Sequence, residues 1–593
     1  MNKKLLSILS SALISASLVS SAETAMDKMW GDRNVRVDVE SSERAALFRD
    51  GNYGMFIHWG LYSQLGGEWK GETFYGIGEW IKRQMGIPTE EYMAIANDFN
   101  PVDFDANAIV ATAKAAGMKY IIITSKHHEG FAMFKSAHPF NIVDATPFAR
   151  DPMQELADAC RAEGLGFGFY YSHNQDWTAP GGTGGPELNP DGSEATFEEY
   201  FREKCYPQVK EICTNYGPLS FVWFDTPRGM PEEMVVELAD LVRETQPDAM
   251  LCSRIGFGMG DYVSLGDMQV PASNHEGLWE TCDTTNDSWS YAWYDNNWKD
   301  AKTILGRLVA TVARGGTYLL NVGPDGKGRI PAPAVKYLEQ AGDWIKQNPG
   351  VVYAADASPW GAALPWGDVT IQGDLLNLVV FDWPKDHRIY LPGLNTEIES
   401  ATLRTASGEL IPLTWTKVGN WSAIEGGELT AAQISGLASV IELKLKGDLQ
   451  VDAAGAVHPN IETLLPTEFA SVEAANQEGS RWMEKFGEWK HVTQVNKWRA
   501  DGIVTWDIDV AEAGDYYVSL SYLGVGRAVW SIETDEGTFL QNQQPATSGY
   551  HSNPMGLLSF KTPGKHTISV RLVDGDRLDT SLKSLSLSPV NEL

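Results

Sequence analysis

The sequence predicts an α/β protein in which a (β/α)8-type barrel is followed by two β-sandwich modules. In the first part of the chain, short apolar runs alternate with amphipathic segments over about 300 residues, which is typical of a parallel barrel. After about residue 348 the pattern changes to short alternating strands separated by turn residues, which is typical of β-sandwiches. The length of 593 residues predicts about four domains of roughly 150 residues, or fewer where one is a large barrel.

These patterns divide the chain into four segments. Residues 1–22 are predicted to be a signal peptide and residues 23–348 the barrel. Residues 349–450 form the first predicted β-sandwich, and residues 451–593 the second. The second sandwich contains several Trp residues, so it is a candidate carbohydrate-binding module, although an aromatic core explains the same residues equally well.

The N-terminal segment has the pattern of a secretory signal. Lys3 and Lys4 precede an apolar run from Leu5 to Val19, and small residues end at Ala22. This run is too short to span a bilayer comfortably, and no Cys follows it that could carry a lipid anchor. We therefore expect a soluble mature protein in the periplasm or outside the cell.

Composition argues against several kinds of partner and cofactor. The 47 basic and 78 acidic residues leave a net charge of −31, which would repel nucleic acids and anionic membranes. The five Cys residues show no Cys-x-x-Cys spacing, so no metal site and no cofactor are predicted, and we expect the cysteines mainly to be buried packing residues. The oligomeric state is not readable from the sequence.

Six apolar runs before residue 350 are predicted to be buried barrel strands. They lie within residues 54–60, 120–126, 166–172, 219–225, 250–254 and 317–322. Helical patterns separate them, at residues 105–116, 152–163, 197–215 and 232–245. Polar residues stand at the ends of several runs, namely His58, Lys126, His127, His128, Tyr170, Tyr171, Asp225 and Arg254. Because barrel enzymes carry their sites at the carboxyl ends of the strands, these residues predict an active site on that rim.

The types of residue on this rim suit glycoside hydrolysis, which usually requires two carboxyl groups. Asp225 ends the apolar run 221–224, where a carboxylate is costly unless a function or a partner retains it. A purely structural role for Asp225 would be to cap the turn that begins at Thr226 and Pro227.

At this point the chain resembles an α-L-fucosidase of glycoside hydrolase family 29. The resemblance covers about residues 40–350. It rests on the segments 48–60 (FRDGNYGMFIHWG), 78–80 (GEW), 124–131 (TSKHHEGF), 169–172 (FYYS) with 176–177 (DW), 221–225 (FVWFD), 279–282 (WETC), 287–291 (DSWSY) and 315–331 (GGTYLLNVGPDGKGRIP).

The resemblance implies a retaining double displacement through a covalent fucosyl-enzyme, with Asp225 as the nucleophile. For the acid/base group, Asp267 is the first candidate, since it lies in a segment like the one where the family usually has a Glu before a Val-Pro. Glu280 of the WETC motif is the competing candidate, and Glu276, in the loop between them, is a distant third. Trp223 is expected to share the strand face of Asp225 and to line the pocket.

The resemblance also implies a sugar-binding shell. Ring hydroxyl groups would be bound by His58, Glu79, His127 and His128. Tyr171 and Arg254 would lie near the reacting centre, and Arg254 would orient the nucleophile. Trp80 and Trp289 would contact the ring and its C6 methyl group.

The implied activity is exo-acting hydrolysis of terminal α-L-fucosyl residues from a fucosylated oligosaccharide or polysaccharide. Three alternatives stay open at this point: a retaining glycosidase for a related sugar such as an α-L-galactoside, a non-catalytic carbohydrate-binding protein, and an adhesive protein whose tail is the working part. The linkage and the aglycone are not readable from these motifs.

Overall fold

The computed structural model describes residue 39 and residues 42–434, 436–452 and 455–590. The predicted signal peptide lies outside the described residues. Among the described residues, no helix combines the length and the apolar character needed to cross a membrane. All five cysteines are buried and free, as expected of packing residues.

The first sheet consists of eight parallel strands. They are β1 (Tyr53–Ile57), β2 (Tyr120–Lys126), β3 (Gly166–Tyr171), β4 (Phe221–Phe224), β5 (Met250–Leu251), β6 (Val263–Ser264), β7 (Trp279–Thr284) and β8 (Thr317–Val322). Their order in the sheet is β5-β4-β3-β2-β1-β8-β7-β6. A parallel bridge between Cys252 and Tyr262 joins the two ends of this order and closes the ring, which confirms the predicted barrel.

The barrel strands are buried on both faces, which explains their nearly uninterrupted apolar runs. Phe56, Tyr170 and Trp223 belong to the cluster inside the barrel. Residues one position away along the strands, such as Ile57 and Tyr171, belong to the cluster between the strands and the outer helices. This alternation decides which side chains can reach the interior and the rim.

Most of the strand connections in the barrel contain helices. The helices are α1 (Ala46–Gly51), α2 (Leu61–Leu65), α3 (Ile81–Gln84), α4 (Thr89–Ala94), α5 (Ala106–Ala115), α6 (Ile142–Ala145), α7 (Pro152–Glu163), α8 (Phe197–Tyr200), α9 (Tyr206–Asn215), α10 (Glu232–Thr245), α11 (Ala301–Ala313) and α12 (Ala332–Gln347). The side chains of Asp105, Asp151 and Asp300 cap α5, α7 and α11 by accepting hydrogen bonds from the first-turn N–H groups. Residues 250–284, from β5 to β7, are all described and contain no α-helix. The layer of helices around the barrel is therefore incomplete there.

A middle β-sandwich follows the barrel. Its strands are β9 (Gly367–Gln372), β10 (Leu375–Val380), β11 (Arg388–Leu391), β12 (Glu397–Arg404), β13 (Leu410–Val418), β14 (Trp421–Glu425) and β15 (Ser439–Lys446). The first half of β13 pairs with β12 and its second half with β14, so this strand passes from one layer to the other. Trp366 and the aliphatic residues of both layers form the core.

The tail β-sandwich has two sheets around its own core. Its strands are β16 (Gly455–Val457), β17 (Thr463–Pro466), β18 (Ser471–Glu473), β19 (Asn476–Met483), β20 (Trp489–Asn496), β21 (Ile503–Val510), β22 (Gly514–Gly524), β23 (Ala528–Thr534), β24 (Phe539–Gln544), β25 (Thr547–Phe560), β26 (Gly564–Asp574) and β27 (Ser581–Pro589). Trp498, Trp506 and Trp530 are buried in that core, so these three rings are packing residues.

Two helix glycines provide a matched test of the packing around the barrel. Gly342 of α12 faces α5 so closely that an added Cβ atom would overlap the carbonyl oxygen of Ala115. We expect Gly342→Ala to lower the free energy of unfolding by about 1–3 kcal/mol, because the two backbones must separate. A Cβ atom on Gly306 of α11 would meet nothing nearer than a Phe381 ring atom at 4.0 Å.

Gly306→Ala is therefore the control, and we expect it to leave stability unchanged or to raise it by up to about 1 kcal/mol through helix propensity. Thermal and denaturant unfolding of both variants measures the difference. Equal effects of the two substitutions would contradict the packing argument.

Candidate active site

The polar residues predicted from the strand ends converge on one rim of the barrel. Asp225 follows β4, His58 follows β1, and His127 and His128 follow β2. Arg254 lies in a short 3-10 turn at Ser253–Ile255, directly after β5. Because all these strands are parallel, their carboxyl ends meet at the same edge.

Asp225 is at the centre of this group and is 9% exposed. Its Oδ2 atom accepts a hydrogen bond of 2.9 Å from the Tyr170 hydroxyl and lies 3.5 Å from Nε2 of His128. Its Oδ1 atom lies 3.5 Å from the Arg254 guanidinium. Burial raises the pKa of Asp225 to about 6, although Arg254 opposes this shift. The carboxyl group is therefore mostly ionised at neutral pH but easily protonated below it.

Arg254 connects Asp225 to a second carboxylate. Its guanidinium donates to Oδ1 of Asp267 at 2.8 Å and to the carbonyl oxygen of Leu265 at 2.7 Å. The guanidinium carbon lies 4.8 Å from the Trp223 ring, so the charged group is held against an aromatic face. The side chain of Asp267 is 20% exposed, so this second carboxylate is more open to solvent than the first.

Each of these two aspartates is followed by a non-glycine residue whose backbone lies in the left-handed region. Thr226 has a φ of 50° and Met268 a φ of 59°. Such a conformation costs of the order of 1–3 kcal/mol for each residue, and it tends to occur at functional sites. The Thr226 hydroxyl also accepts a 2.9 Å hydrogen bond from Gln175, which helps to hold the turn after Asp225.

Glu280 lies deeper, inside the barrel, and has no exposed surface. Its Oε1 atom accepts a 2.6 Å hydrogen bond from the indole N–H of Trp223. Burial raises the pKa of Glu280 to about 7. Glu276, the third candidate for the acid/base, is exposed in the loop before β7.

The predicted hydroxyl-binding residues are buried polar groups around the same rim. Nδ1 of His58 hydrogen-bonds the side-chain oxygen of Asn321 at 2.7 Å, and Nδ1 of His128 the hydroxyl of Ser172 at 2.7 Å. Burial lowers the pKa of His58 to about 4 and lowers the pKa values of His127 and His128 well below their ordinary range. These imidazoles are therefore neutral at neutral pH and can both donate and accept hydrogen bonds.

Glu79 also lies at this rim and accepts a 3.0 Å hydrogen bond from the backbone N–H of Ser290. Burial raises its pKa to about 7. Two of the predicted aromatic residues pack on the histidines: Trp289 lies 5.2 Å from His58 and Trp80 lies 5.6 Å from His128, between ring centres. The rim thus combines hydrogen-bonding groups with aromatic surfaces.

The prediction that Tyr171 lies near the reacting centre is wrong. Its hydroxyl donates to the side chain of Gln208 at 2.9 Å, in the layer between strands and helices. The preceding residue, Tyr170, points into the barrel, stacks on Trp223 at 5.4 Å and donates to Asp225. Strict alternation along β3 could have identified Tyr170, because it must face the opposite way from Tyr171.

A buried ionic cluster lies among the connections that follow β2 and β3. The Asp176 carboxylate lies 3.1 Å from the Lys126 ammonium and 2.8 Å from the Lys204 ammonium, with almost no exposed surface on any of the three. Burial opposes ionisation of Asp176, but the two lysines outweigh it and hold its pKa well below the ordinary value. This cluster fixes the strand end that carries His127 and His128.

Among the described residues, no three His, Cys, Asp or Glu side chains come together in a way that could hold a metal ion. The chemistry that the rim itself offers is that of a buried, mostly ionised carboxylate beside a more open carboxyl group, which share one guanidinium. Neutral imidazoles and aromatic rings surround the pair.

Comparisons with known proteins point in one direction. The family model described as alpha-L-fucosidase matches residues 22–350. Plasma alpha-L-fucosidase of Homo sapiens is 28% identical over 439 residues, which are 69% of this chain and 90% of that protein. The Rattus norvegicus plasma enzyme is 30% identical over 413 residues, which are 64% and 86% of the two chains.

Solved structures extend the similarity beyond the barrel. The alpha-L-fucosidase of Vibrio sp. strain EJY3 is 29% identical with a TM-score of 0.75, and the match covers 93% of this chain and 98% of that one. Alpha-L-fucosidase isoenzyme 1 from Paenibacillus thiaminolyticus is 32% identical with a TM-score of 0.60, covering 68% and 99%.

The electrostatics of the rim predict opposite stability effects for two buried aspartates. Because burial raises the pKa of Asp225 to about 6, its charged form destabilises the fold above that pH. We expect Asp225→Asn to stabilise the protein by about 1–3 kcal/mol at neutral pH and above. The gain should shrink as the pH falls below about 6 and disappear below about 4, the ordinary pKa of Asp in an unfolded chain, where Asp225 is protonated in both states.

Asp176→Asn is the matched control, because it removes the charge that two buried lysines require. We expect it to destabilise the protein by about 3–5 kcal/mol at neutral pH. Unfolding of both variants across this pH range measures the contrast. Destabilisation by Asp225→Asn at neutral pH would contradict the interpretation of Asp225 as a strained charge.

Proposed function

The chain belongs to the alpha-L-fucosidase family, and we propose that it removes terminal α-L-fucosyl residues from glycans by a retaining double displacement at the Asp225 rim. It is a glycoside hydrolase that acts on α-L-fucosides. The contact of Arg254 with both Asp225 and Asp267 is the observation that carries the proposed mechanism. Retaining enzymes need two carboxyl groups about 5–5.5 Å apart, and a shared guanidinium keeps such a pair together.

In the proposed mechanism Asp225 is the nucleophile. With a pKa of about 6 it is mostly ionised at neutral pH, and the Tyr170 hydroxyl and Arg254 direct its two oxygens. One carboxylate oxygen attacks the anomeric carbon, and the bond to the leaving oxygen breaks. The left-handed backbone of Thr226 supports a functional role for this turn, since such strained conformations tend to occur at active sites.

We assign the acid/base role to Asp267. It donates a proton to the leaving oxygen in the first step and removes one from the attacking water in the second. Its partial exposure suits contact with both an aglycone and water, whereas Glu280 is wholly buried and bonded to Trp223. Glu280 is better suited to holding Trp223 and the pocket floor in position.

The surrounding shell supports a deoxy sugar as the substrate. His58, His127 and Glu79 offer hydrogen bonds to ring hydroxyls, and in the described part of the chain Nδ1 of His127 has no protein partner. Trp80 and Trp289 offer apolar surface for a methyl group, where the extra hydroxyl of a galactoside would be left without a partner. We propose that the natural substrate is a fucosylated oligosaccharide or polysaccharide.

We also propose that the enzyme works outside the cytoplasm. The basic start and apolar run of residues 1–22 support export. Polymeric or cell-surface glycans would be accessible there.

Product stereochemistry and labelling test the role of Asp225. We expect an aryl α-L-fucoside to release fucose first as the α anomer, detected by NMR during the reaction. A slow fluorinated fucoside should label the peptide that contains Asp225, detected by mass spectrometry. Asp225→Ala should lower kcat by at least about 1000-fold, because covalent catalysis is lost.

An aryl α-L-galactoside serves as the substrate control and should be hydrolysed more slowly. Release of the β anomer, or a label on another peptide, would overturn the proposed mechanism. A faster galactoside reaction would reassign the sugar without affecting the mechanism.

Two further variants separate Asp267 from Glu280. We expect Asp267→Ala to retain activity on a dinitrophenyl fucoside, whose leaving group needs no protonation, and to lose about 100-fold or more on a phenyl fucoside. Azide should then accelerate turnover by attacking the β-linked fucosyl-enzyme and should form α-fucosyl azide, which NMR identifies. Glu280→Ala should reduce activity on both substrates alike and show no azide rescue. The reverse pattern would assign the acid/base role to Glu280.

A further inference from the structure

The tail β-sandwich contacts the catalytic rim directly. Its β19–β20 hairpin reaches the barrel, and Nε2 of His491 on β20 lies 2.7 Å from the backbone carbonyl oxygen of Asp267. A carbonyl oxygen only accepts hydrogen bonds, so the imidazole Nε2–H is the donor. The proposed acid/base residue is thus bonded to a side chain that lies 224 residues further along the chain.

A second contact anchors the turn of this hairpin. Phe486 packs against the rings of Tyr294 and Tyr75 at centroid distances of 4.9 and 6.3 Å. The next residue, Gly487, approaches so closely that an added Cβ atom would lie 2.8 Å from the carbonyl oxygen of Asp287. Asp287 and Tyr294 lie in the connection that follows β7, so the hairpin is docked at two places on one rim.

The loop that carries Asp267 needs such support. It connects β6 to β7 without a helix, in the part of the barrel where the helical layer is incomplete. The N–H of Met268 donates to the carbonyl of Cys282 at 2.8 Å, and Arg307 donates to the carbonyl of Met268 at 2.6 Å. These bonds hold the residue after Asp267, whereas His491 holds the carbonyl group of Asp267 itself.

We propose that His491 is a positioning residue for Asp267, and that the tail β-sandwich is therefore a working part of the catalytic unit. This inference rests on the proposed acid/base role of Asp267. Arg254 holds the carboxylate end of Asp267 and His491 holds its backbone end, so the two contacts together set where the proton is delivered. A small displacement of a positioned acid strongly reduces proton transfer.

The dependence of kcat/KM on the leaving group tests this role, because a purely structural role of His491 would affect all substrates alike. We expect His491→Leu to lower kcat/KM about tenfold on a fucosyl disaccharide, whose leaving group needs protonation. On a dinitrophenyl fucoside kcat/KM should stay within about twofold of the parent, because that step does not use the acid. His491→Gln keeps an N–H donor and should recover most of the disaccharide activity.

Two further variants keep the test decisive. His551→Leu removes an exposed histidine from β25 of the same β-sandwich and should leave kcat/KM unchanged on both substrates. Should His491→Leu fail to fold, His491→Asn supplies the same test, because its shorter amide cannot reach the carbonyl. All variants are made in the full chain, and their unfolding temperatures are recorded alongside the kinetics.

The outcomes distinguish the two proposals. Selective loss on the disaccharide with recovery by His491→Gln supports the positioning role. Equal losses on both substrates, or no loss on either, overturn it. If Asp267→Ala itself shows no dependence on the leaving group, the proposed acid/base assignment fails instead, whatever the His491 variants do.

Discussion

The site depends on one buried guanidinium placed between two carboxylates. Arg254 is 3% exposed and contacts both Asp225 and Asp267. A buried positive charge is stable only with close partners, and two carboxylates at one rim repel each other unless a cation lies between them. Burial nevertheless outweighs the attraction at Asp225 and raises its pKa to about 6. The fold therefore retains a carboxylate, the proposed nucleophile, that is mostly ionised at neutral pH but only weakly stabilised by its surroundings.

This arrangement also requires two residues with strained backbone conformations. Thr226 and Met268, the residues after the two carboxylates, both adopt left-handed conformations. Each costs about 1–3 kcal/mol, which the surrounding parallel sheet must offset. Strand pairing before Asp225, and the bonds of Met268 to Cys282 and Arg307, supply rigid supports on either side. The supports around both turns offset this strain, and hydrogen bonds from Tyr170 and Arg254 hold the carboxylates themselves.

Six of the eight barrel strands and most of the rim could be predicted from the sequence, because buried parallel strands produce apolar runs. The strands β6 and β7 are not among the predicted runs, because β6 has only two residues and β7 is largely polar. The positions of Asp225 and Arg254 at strand ends follow from the pattern of apolar runs alone. The apolar run alone does not show which of Tyr170 and Tyr171 faces the barrel interior, because either ring could pack there or against the helices. Only the alternation of side chains along the strand distinguishes them. The hydrogen bond from His491 carries no local signal, because the two residues meet only through the packing of separate folding units.

The incomplete helical layer gives this packing a physical reason. Between β5 and β7 the described chain has no α-helix to cover the strands, and the loop there carries Asp267. Without support, this loop would leave the proposed proton donor mobile, and the hairpin contacts through Phe486 and His491 supply such support. Buried tryptophans form the core of the tail β-sandwich from which that hairpin extends. In the proposed arrangement the tail β-sandwich thus supports the part of the rim where the outer helical layer is incomplete.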